Sequence, residues 1–471
     1  MDWIKSNKAL SAILILCLVT RLAFFFAVRP WEESSVEKIF ETDGVQYHQI
    51  AINLLHYHQF SLEKDGPPNS YRTPIYPMYL ALFALIFGDT PWVVLVSQIV
   101  ISTLSCFLLY LMFNRVFNKK IALYASLFFC LDPFLILHCT KILSDTLIVF
   151  ILILGTYTTS FLFVNNHKNN KVKIVLLTGF LFGLATLTKP ITTFIPLLII
   201  LLMFYEFRKK ISIAITYAIV LIIIFTLTIS PWLIRNYLAF NSISLSSIGS
   251  LSLLYMYIPP MEMQRRGQSY EEVRISLLSE ADSLIVKDGL KPETMNDFQK
   301  SKYWRAVALK YVIKYPLPFT KFYALGLFHY FSNLGTTAFS EMLDLNTERK
   351  EFDIKAYPNI LLGIQKWFQQ KSFNEIIVGF IVLIFLLITY VSTAIGLVVS
   401  WKRYSKAFLI FCTLMVIYFA VLTGPYSLVR YKLPSIPYYL AFAGIGFDYI
   451  INKRKRETNS TSKVFHNVLS V

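Results

Sequence analysis

The run Ala9–Val28, ALSAILILCLVTRLAFFFAV, decides the class of this chain. It matches the ~20 apolar residues that an α-helix needs to cross a hydrocarbon core. No small-residue cleavage pattern follows it, so it reads as a retained span and not as a removed signal peptide. Comparable blocks recur at Pro91–Phe113, Leu143–Val164, Ile191–Tyr205 and Ile376–Ser400. Over the 471 residues, 55% are hydrophobic and 15% charged, against roughly 25% charged in soluble domains. An outer-membrane barrel would show short alternating segments instead. The expectation is an all-α polytopic integral membrane protein. It should have about 10–13 transmembrane helices, juxtamembrane helices and a mainly helical extracytoplasmic region.

The formal net charge of +17 does not indicate a nucleic-acid partner. Lys and Arg gather in short loops beside the apolar blocks, which is the positive-inside bias. The clusters are Lys5 and Lys8; Arg115, Lys119 and Lys120; Lys168, Lys171 and Lys173; Arg208 to Lys210; Lys402, Arg403 and Lys406; and Lys453 to Arg456. All of them face the cytoplasm together if about ten full spans cross the bilayer. Tyr76–Phe87 is then a juxtamembrane or re-entrant helix, since it is short for a crossing. Ile174–Thr188 and Ile191–Tyr205 form a hairpin whose turn, Lys189-Pro190, lies outside. Both termini are cytoplasmic, and the protein belongs in the cell membrane.

This topology divides the chain into four parts. Residues 1–234 form a transmembrane catalytic module that includes the first outer loop, 29–75. Residues 235–374 form an extracytoplasmic soluble and juxtamembrane region, in which Pro318–Leu334 is apolar enough to lie on the membrane. Residues 375–452 are further transmembrane helices, and 453–471 a loose cytoplasmic tail. The five cysteines lie in or beside apolar blocks without a C-x-x-C spacing, so they are packing residues.

Chemistry concentrates at the outer face. In Glu41-Thr42-Asp43-Gly44-Val45-Gln46-Tyr47, Asp43 opens a helix marked by Tyr47, Ile50, Ala51, Leu54 and Leu55. Two roles are open to it. With Gln46 three residues on, it fits a capping box; as a carboxylate in a polar loop, it fits a general base that takes a proton from an attacking hydroxyl. Glu41 is the weaker candidate for that second role. Arg72, in Tyr71-Arg72-Thr73-Pro74, either snorkels to lipid headgroups or binds a substrate phosphate bidentately. Asp145, after Ser144, is either a helix-terminal carboxylate or a functional group at the bilayer edge. Lys189, Arg235, Arg430 and Lys432 are outer-face cations that run against the inside bias, and a shared anionic ligand explains them. His48, His56 and His58 lack zinc-ligand spacing. A loosely bound divalent cation at Asp43 or Asp145 is the one metal left open. Nucleotide-binding and serine-hydrolase motifs are absent.

Taken in order, these stretches resemble the class C glycosyltransferases of the family-39 type, which include protein O-mannosyltransferases and lipid A aminoarabinose transferases. The likeness rests on Thr42-Asp43-Gly44 with Tyr71 to Pro77, Leu143 to Thr146, Gly183 to Pro190, Ser230 to Tyr237 and Arg430 to Pro434. It implies a polyprenyl-phosphate sugar as donor and a catalytic acid in the first outer loop, matched by Asp43. It implies a glycan, lipid or protein acceptor at the extracytoplasmic face. The family often has two adjacent acids where this chain has Glu41 and Asp43 split by Thr42, and Ser-Glu where this chain has Ser144-Asp145. Arg72, Lys189, Arg235 and Arg430 are then donor-phosphate ligands, and direct displacement inverts the sugar carbon. The competing class is a transporter or lipid flippase for envelope glycolipids. Such proteins place charge and broken helices at the midplane, whereas here polar residues collect at one face.

Overall fold

The computed structural model describes residues 8–163, 171–345, 365, 371–424 and 428–468. The membrane helix α1 (Lys8–Val28) leads into the surface helix α2 (Thr42–Tyr57) and the short apolar helix α3 (Ile75–Phe87). A hairpin of α4 (Pro91–Val116) and α5 (Lys119–Leu131) follows, then the short α6 (Pro133–His138) and α7 (Asp145–Phe163). Next come α8 (Val172–Thr188), α9 (Ile195–Glu206) and the long α10 (Ile211–Phe240). The intervening region contains α11 (Tyr270–Lys287), α12 (Asp297–Lys314) and α13 (Pro316–Ser332). The chain then returns to apolar helices: α14 (Phe373–Ser400), α15 (Lys406–Thr423) and α16 (Ile436–Val468). No strand occurs among the described residues; Ser61 and Pro68 form an isolated bridge.

Six of the described helices are long and apolar enough to cross a membrane: α1, α4, α7, α10, α14 and α15. Ile75–Phe87, Val172–Thr188 and Pro190–Glu206 are shorter apolar helices. This is an all-α, multi-pass membrane protein. Burial ranks the spans. The apolar window of α7 is 72% buried, whereas those of α1 and α10 are 22% buried. The outer helices thus leave apolar side chains such as Leu227 and Ile234 uncovered, as lipid-facing surface requires. α7 forms the centre of the bundle.

Small residues set the closest helix approach. α14 crosses α16 at Ser392, Gly396 and Gly446. A Cβ on Gly396 would meet the Phe442 carbonyl oxygen at 1.9 Å, and one on Gly446 would meet that of Ser392 at 1.8 Å. Backbones pack this tightly only where side chains are missing.

The helices between α10 and α14 have an apolar core of their own, with Leu277, Ile285, Trp304, Val307 and Phe322. Capping boxes start α11 (Ser269 with Glu272) and α12 (Asn296 with Gln299). The mainly helical expectation for this segment matches its described part. Residues 346–364 and 366–370 lie outside the described residues, as do Lys168, Tyr426 and Ser427. The tail after Arg456, expected to be loose, carries α16 on as helix to Val468.

Candidate active site

The site begins where α2 meets the segment between α6 and α7. The backbone N–H of Ile142 donates to the Ile39 carbonyl at 2.8 Å. At Gly44 a Cβ would lie 2.5 Å from the Ile142 carbonyl oxygen. Only glycine lets the first turn of α2 approach that backbone. The approach sets Glu41 and Asp43 beside residues from the middle of the chain.

Asp43 does not cap its helix. The N-cap is Glu41, without a side-chain capping bond, and Asp43 sits inside the first turn. Both members of the expected capping box are drawn elsewhere. Gln46 Oε1 accepts from Arg72 Nε at 2.9 Å, and Asp43 Oδ1 accepts from Arg72 Nη2 at 2.5 Å. The other carboxylate oxygen, Oδ2, accepts from Arg430 Nη2. Charge-assisted bonds to two guanidinium groups outweigh a neutral capping bond. The Asp43 side chain remains 25% exposed.

Glu41 completes the cluster. It accepts from Arg430 Nη1 at 3.0 Å and from Lys141 Nζ. Lys141 is almost fully buried. Its carbonyl accepts from Gln98 Nε2 at 2.8 Å, and Gln98 in turn accepts from Tyr76 Oη at 2.9 Å. Beside it, Lys189 Nζ bonds the buried Asp145 at 2.6 Å. Thr73 Oγ1 donates to the Thr188 carbonyl at 3.1 Å and so ties the Arg72 loop to the Lys189 turn. Asp145 lies close enough to Arg430 to act on its charge. Five charged groups, Glu41, Asp43, Arg72, Lys141 and Arg430, therefore form one ion-pair network, and the Asp145–Lys189 pair stands beside it.

Electrostatics follow from this packing. Burial alone raises the Asp43 pKa, but Arg430 and Arg72 outweigh it and hold the carboxyl well below the usual carboxylate range. Glu41 behaves likewise: burial opposes ionisation, and Lys141 and Arg430 overcome it. Both groups are anionic near neutral pH. The buried Nε–H of Arg430 has no partner among the described residues.

The expected residues do not all converge. Asp43, Glu41, Arg72 and Arg430 are in contact, with Asp145 and Lys189 adjacent. Arg235 lies apart from these carboxylates, bonded to the Asn69 and Phe60 carbonyls. Lys432 also fails to join them. It is fully buried and faces Tyr390 Oη at 3.3 Å and the Phe134 ring. Two positions along a tight 3-10 turn, Val429–Ser435, it points to another side. Lys141 joins the site without having been singled out, and Gln46, expected only as a capping partner, joins it through Arg72. A lysine in an apolar run, four residues before Asp145, is the signal that marks Lys141.

A divalent cation fits poorly here. Both Asp43 oxygens are bound by guanidinium groups. No group of three or more His, Cys, Asp or Glu suited to a metal occurs among the described residues. His48 instead pairs with Asp89.

Comparison with known proteins places this geometry in context. Residues 71–234 match the family model described as dolichyl-phosphate-mannose-protein mannosyltransferase. Across nearly the whole chain, the backbone follows the archaeal oligosaccharyltransferase AglB of Archaeoglobus fulgidus, in complex with an inhibitory peptide and a dolichol-phosphate. That match has a TM-score of 0.53 at 15% identity and covers 97% of this chain and 52% of that one. The chain has the class C glycosyltransferase fold. Two Bacillus subtilis (strain 168) proteins that carry provisional mannosyltransferase names align with part of it. YycA is 29% identical over 212 residues, which is 44% of this chain and 29% of that protein. YkcB is 25% identical over 197 residues, 41% of this chain and 26% of that protein. The chain thus spans under a third of the curated relatives it matches. Within the class C fold, the matched region carries Arg72, Asp145 and Lys189; Asp43 and Arg430 lie outside it.

Proposed function

We propose that this protein moves a sugar from a polyprenyl-phosphate donor to a hydroxyl acceptor of the cell envelope. The reaction takes place at the extracytoplasmic face. The observation that carries this reading is the double guanidinium grip on Asp43, at the end of a membrane bundle with the class C fold. A polyprenyl chain must stay in lipid, so its phosphate can be reached only where such a bundle meets water. The matching family and the mannosyltransferase names of the relatives favour a lipid-linked sugar donor. The positive-inside pattern favours the outer face for this end.

The chemistry is a single displacement. Asp43 accepts the proton of the acceptor hydroxyl as that oxygen forms its bond to the anomeric carbon. The bond from that carbon to the phosphate oxygen breaks, and the phosphate leaves with the electron pair. The configuration at the carbon inverts. Phosphate is already a good leaving group and needs charge stabilisation more than a proton. Arg72 and Arg430 supply it, with Lys189 nearby. Both held on Asp43, these arginines keep it a weak base. A donor phosphate that takes a share of them frees Asp43 to accept a proton when the sugar is present. Glu41 and Asp145 are engaged by Lys141 and Lys189 and serve to hold the cations. In the four-part division of the chain, residues 1–234 carry most of this chemistry, and the helices between α10 and α14 select the acceptor.

Mass spectrometry of lipid-linked sugars and envelope glycans, in a strain lacking the protein, tests this reading. A missing glycan together with an accumulated polyprenyl-phosphate sugar supports it. Unchanged pools of both refute it. Movement of labelled lipid across sealed vesicles without any acceptor would make the protein a transporter instead.

A further inference from the structure

We propose that Arg235 is a positioning residue for Arg72, acting through Asn69, and that it does not bind the donor phosphate. This rests on the reading of the site given above and assigns a different task to one of its expected phosphate ligands.

Arg235 lies near the end of α10, enclosed by aromatic rings. Its guanidinium carbon is 4.7 Å from the Trp232 ring centre, 5.1 Å from that of Phe240 and 5.3 Å from that of Phe60. Its donors go to neutral oxygens. Nη1 bonds the Asn69 carbonyl at 3.0 Å and Asn236 Oδ1 at 2.8 Å, and Nη2 bonds the Phe60 carbonyl at 3.4 Å. No carboxylate among the described residues forms an ion pair with it. Three of its five N–H donors are thus taken by the protein, and ring faces stand against the guanidinium plane. Both Nη1 hydrogens are engaged, so the bidentate Nη1–Nη2 edge that would grip a phosphate is already in use.

The two carbonyls it holds are the two ends of one loop. The Asn69 N–H also donates to the Phe60 carbonyl at 2.8 Å. Arg235 therefore locks the closure of residues 60–69. From that closure the Asn69 side chain reaches forward. Its Oδ1 accepts from the backbone N–H of Tyr71 at 3.1 Å and of Arg72 at 2.8 Å. Arg72 then reaches Gln46 and Asp43. A second hold comes from the chain just after α10. Ser246 Oγ donates to the Tyr71 carbonyl at 2.6 Å, and the Ser247 N–H donates to the Ser70 carbonyl at 3.1 Å. The end of α10 grips the Arg72 loop from both sides. A planar fork that bridges two separate carbonyls is a task for arginine and not for a lysine ammonium.

The test uses full-length protein as wild type, Arg235→Ala, Arg235→Lys, Asn69→Ala, Arg72→Ala and the double variant Arg235→Ala/Arg72→Ala. Amide hydrogen exchange over residues 69–73 should quicken in Arg235→Ala and Asn69→Ala and stay unchanged over α11. This readout needs no activity. With a polyprenyl-phosphate-linked sugar, Arg235→Ala should lower kcat/KM about tenfold, but by less than about twofold once Arg72 is already alanine. Arg235→Lys should recover only part of the loss. Unchanged exchange at 69–73, or an equal loss in both backgrounds, overturns the proposal; the second result would make Arg235 a direct ligand. If Arg235→Ala does not fold, Asn69→Ala and Arg235→Lys carry the same comparisons. If wild-type protein transfers no sugar, the functional reading fails while the exchange result still decides the clamp.

Discussion

Arg430 binds Oδ2 of Asp43 across 387 positions of sequence, and Arg72 holds the other oxygen from 29 positions away. The loop between α1 and α3 and the last turn before α16 are thus closed onto one carboxylate.

Removal of either arginine should separate two effects. Each charge-assisted bond contributes ~1.5–3 kcal/mol, so Arg72→Ala and Arg430→Ala should each lower kcat/KM for the donor by about ten- to a hundredfold. Most of the loss should appear as a raised KM for the lipid phosphate, in steady-state assays with a polyprenyl-phosphate-linked sugar. A loss confined to the acceptor KM would reassign them.

Acid should weaken the protein through the same cluster. Asp43 and Glu41 have folded pKa values below their ordinary ones. Their ion pairs stabilise the fold fully above the ordinary carboxylate range. That stability is lost as pH falls from about 5 toward the depressed folded values. Thermal midpoints in detergent should therefore drop over this window, and Arg430→Ala should flatten the slope. An identical slope in the variant would show that the guanidinium does not set these ionisations.

Lys141 should matter for stability before chemistry. It is buried and held by Glu41, which is a third exposed. Glu41→Gln leaves that ammonium without its counter-charge and should cost about 1–3 kcal/mol, read as a lower thermal midpoint. A Glu41→Gln variant as stable as wild type would contradict the pairing.

Helix packing makes a prediction remote from the site. Gly396→Ala inserts a methyl group where the Phe442 carbonyl oxygen lies 1.9 Å from the new Cβ position. Overpacking of this kind costs roughly 1–3 kcal/mol or more, so folded yield and thermal midpoint should both fall. Gly249→Ala, with nothing near its Cβ position, is the control.

Much of this arrangement is legible in sequence because it is local. The α2 helix follows from the spacing of Tyr47, Ile50 and Ala51, and all three are buried. The Lys189-Pro190 turn between α8 and the next helix follows from two apolar runs broken at a proline. Partners at long range are not legible. Capping logic joins Asp43 to Gln46 because they are three residues apart, yet Arg72 takes both. Arg235 looks like a phosphate ligand because it is a cation at a helix end. Its carbonyl partners, Phe60 and Asn69, are visible only once the loop is closed. Lys432, two residues from Arg430, shares its motif but faces another side of the turn.

The most direct measurement is sugar transfer by purified Asp43→Asn protein in membranes containing a polyprenyl-phosphate-linked sugar and an envelope acceptor. With Asp43 as general base, transfer should fall by about 10²–10⁴-fold, while the variant still inserts and melts cooperatively. Transfer within about twofold of wild type would show that the proton goes elsewhere, and the account would be wrong.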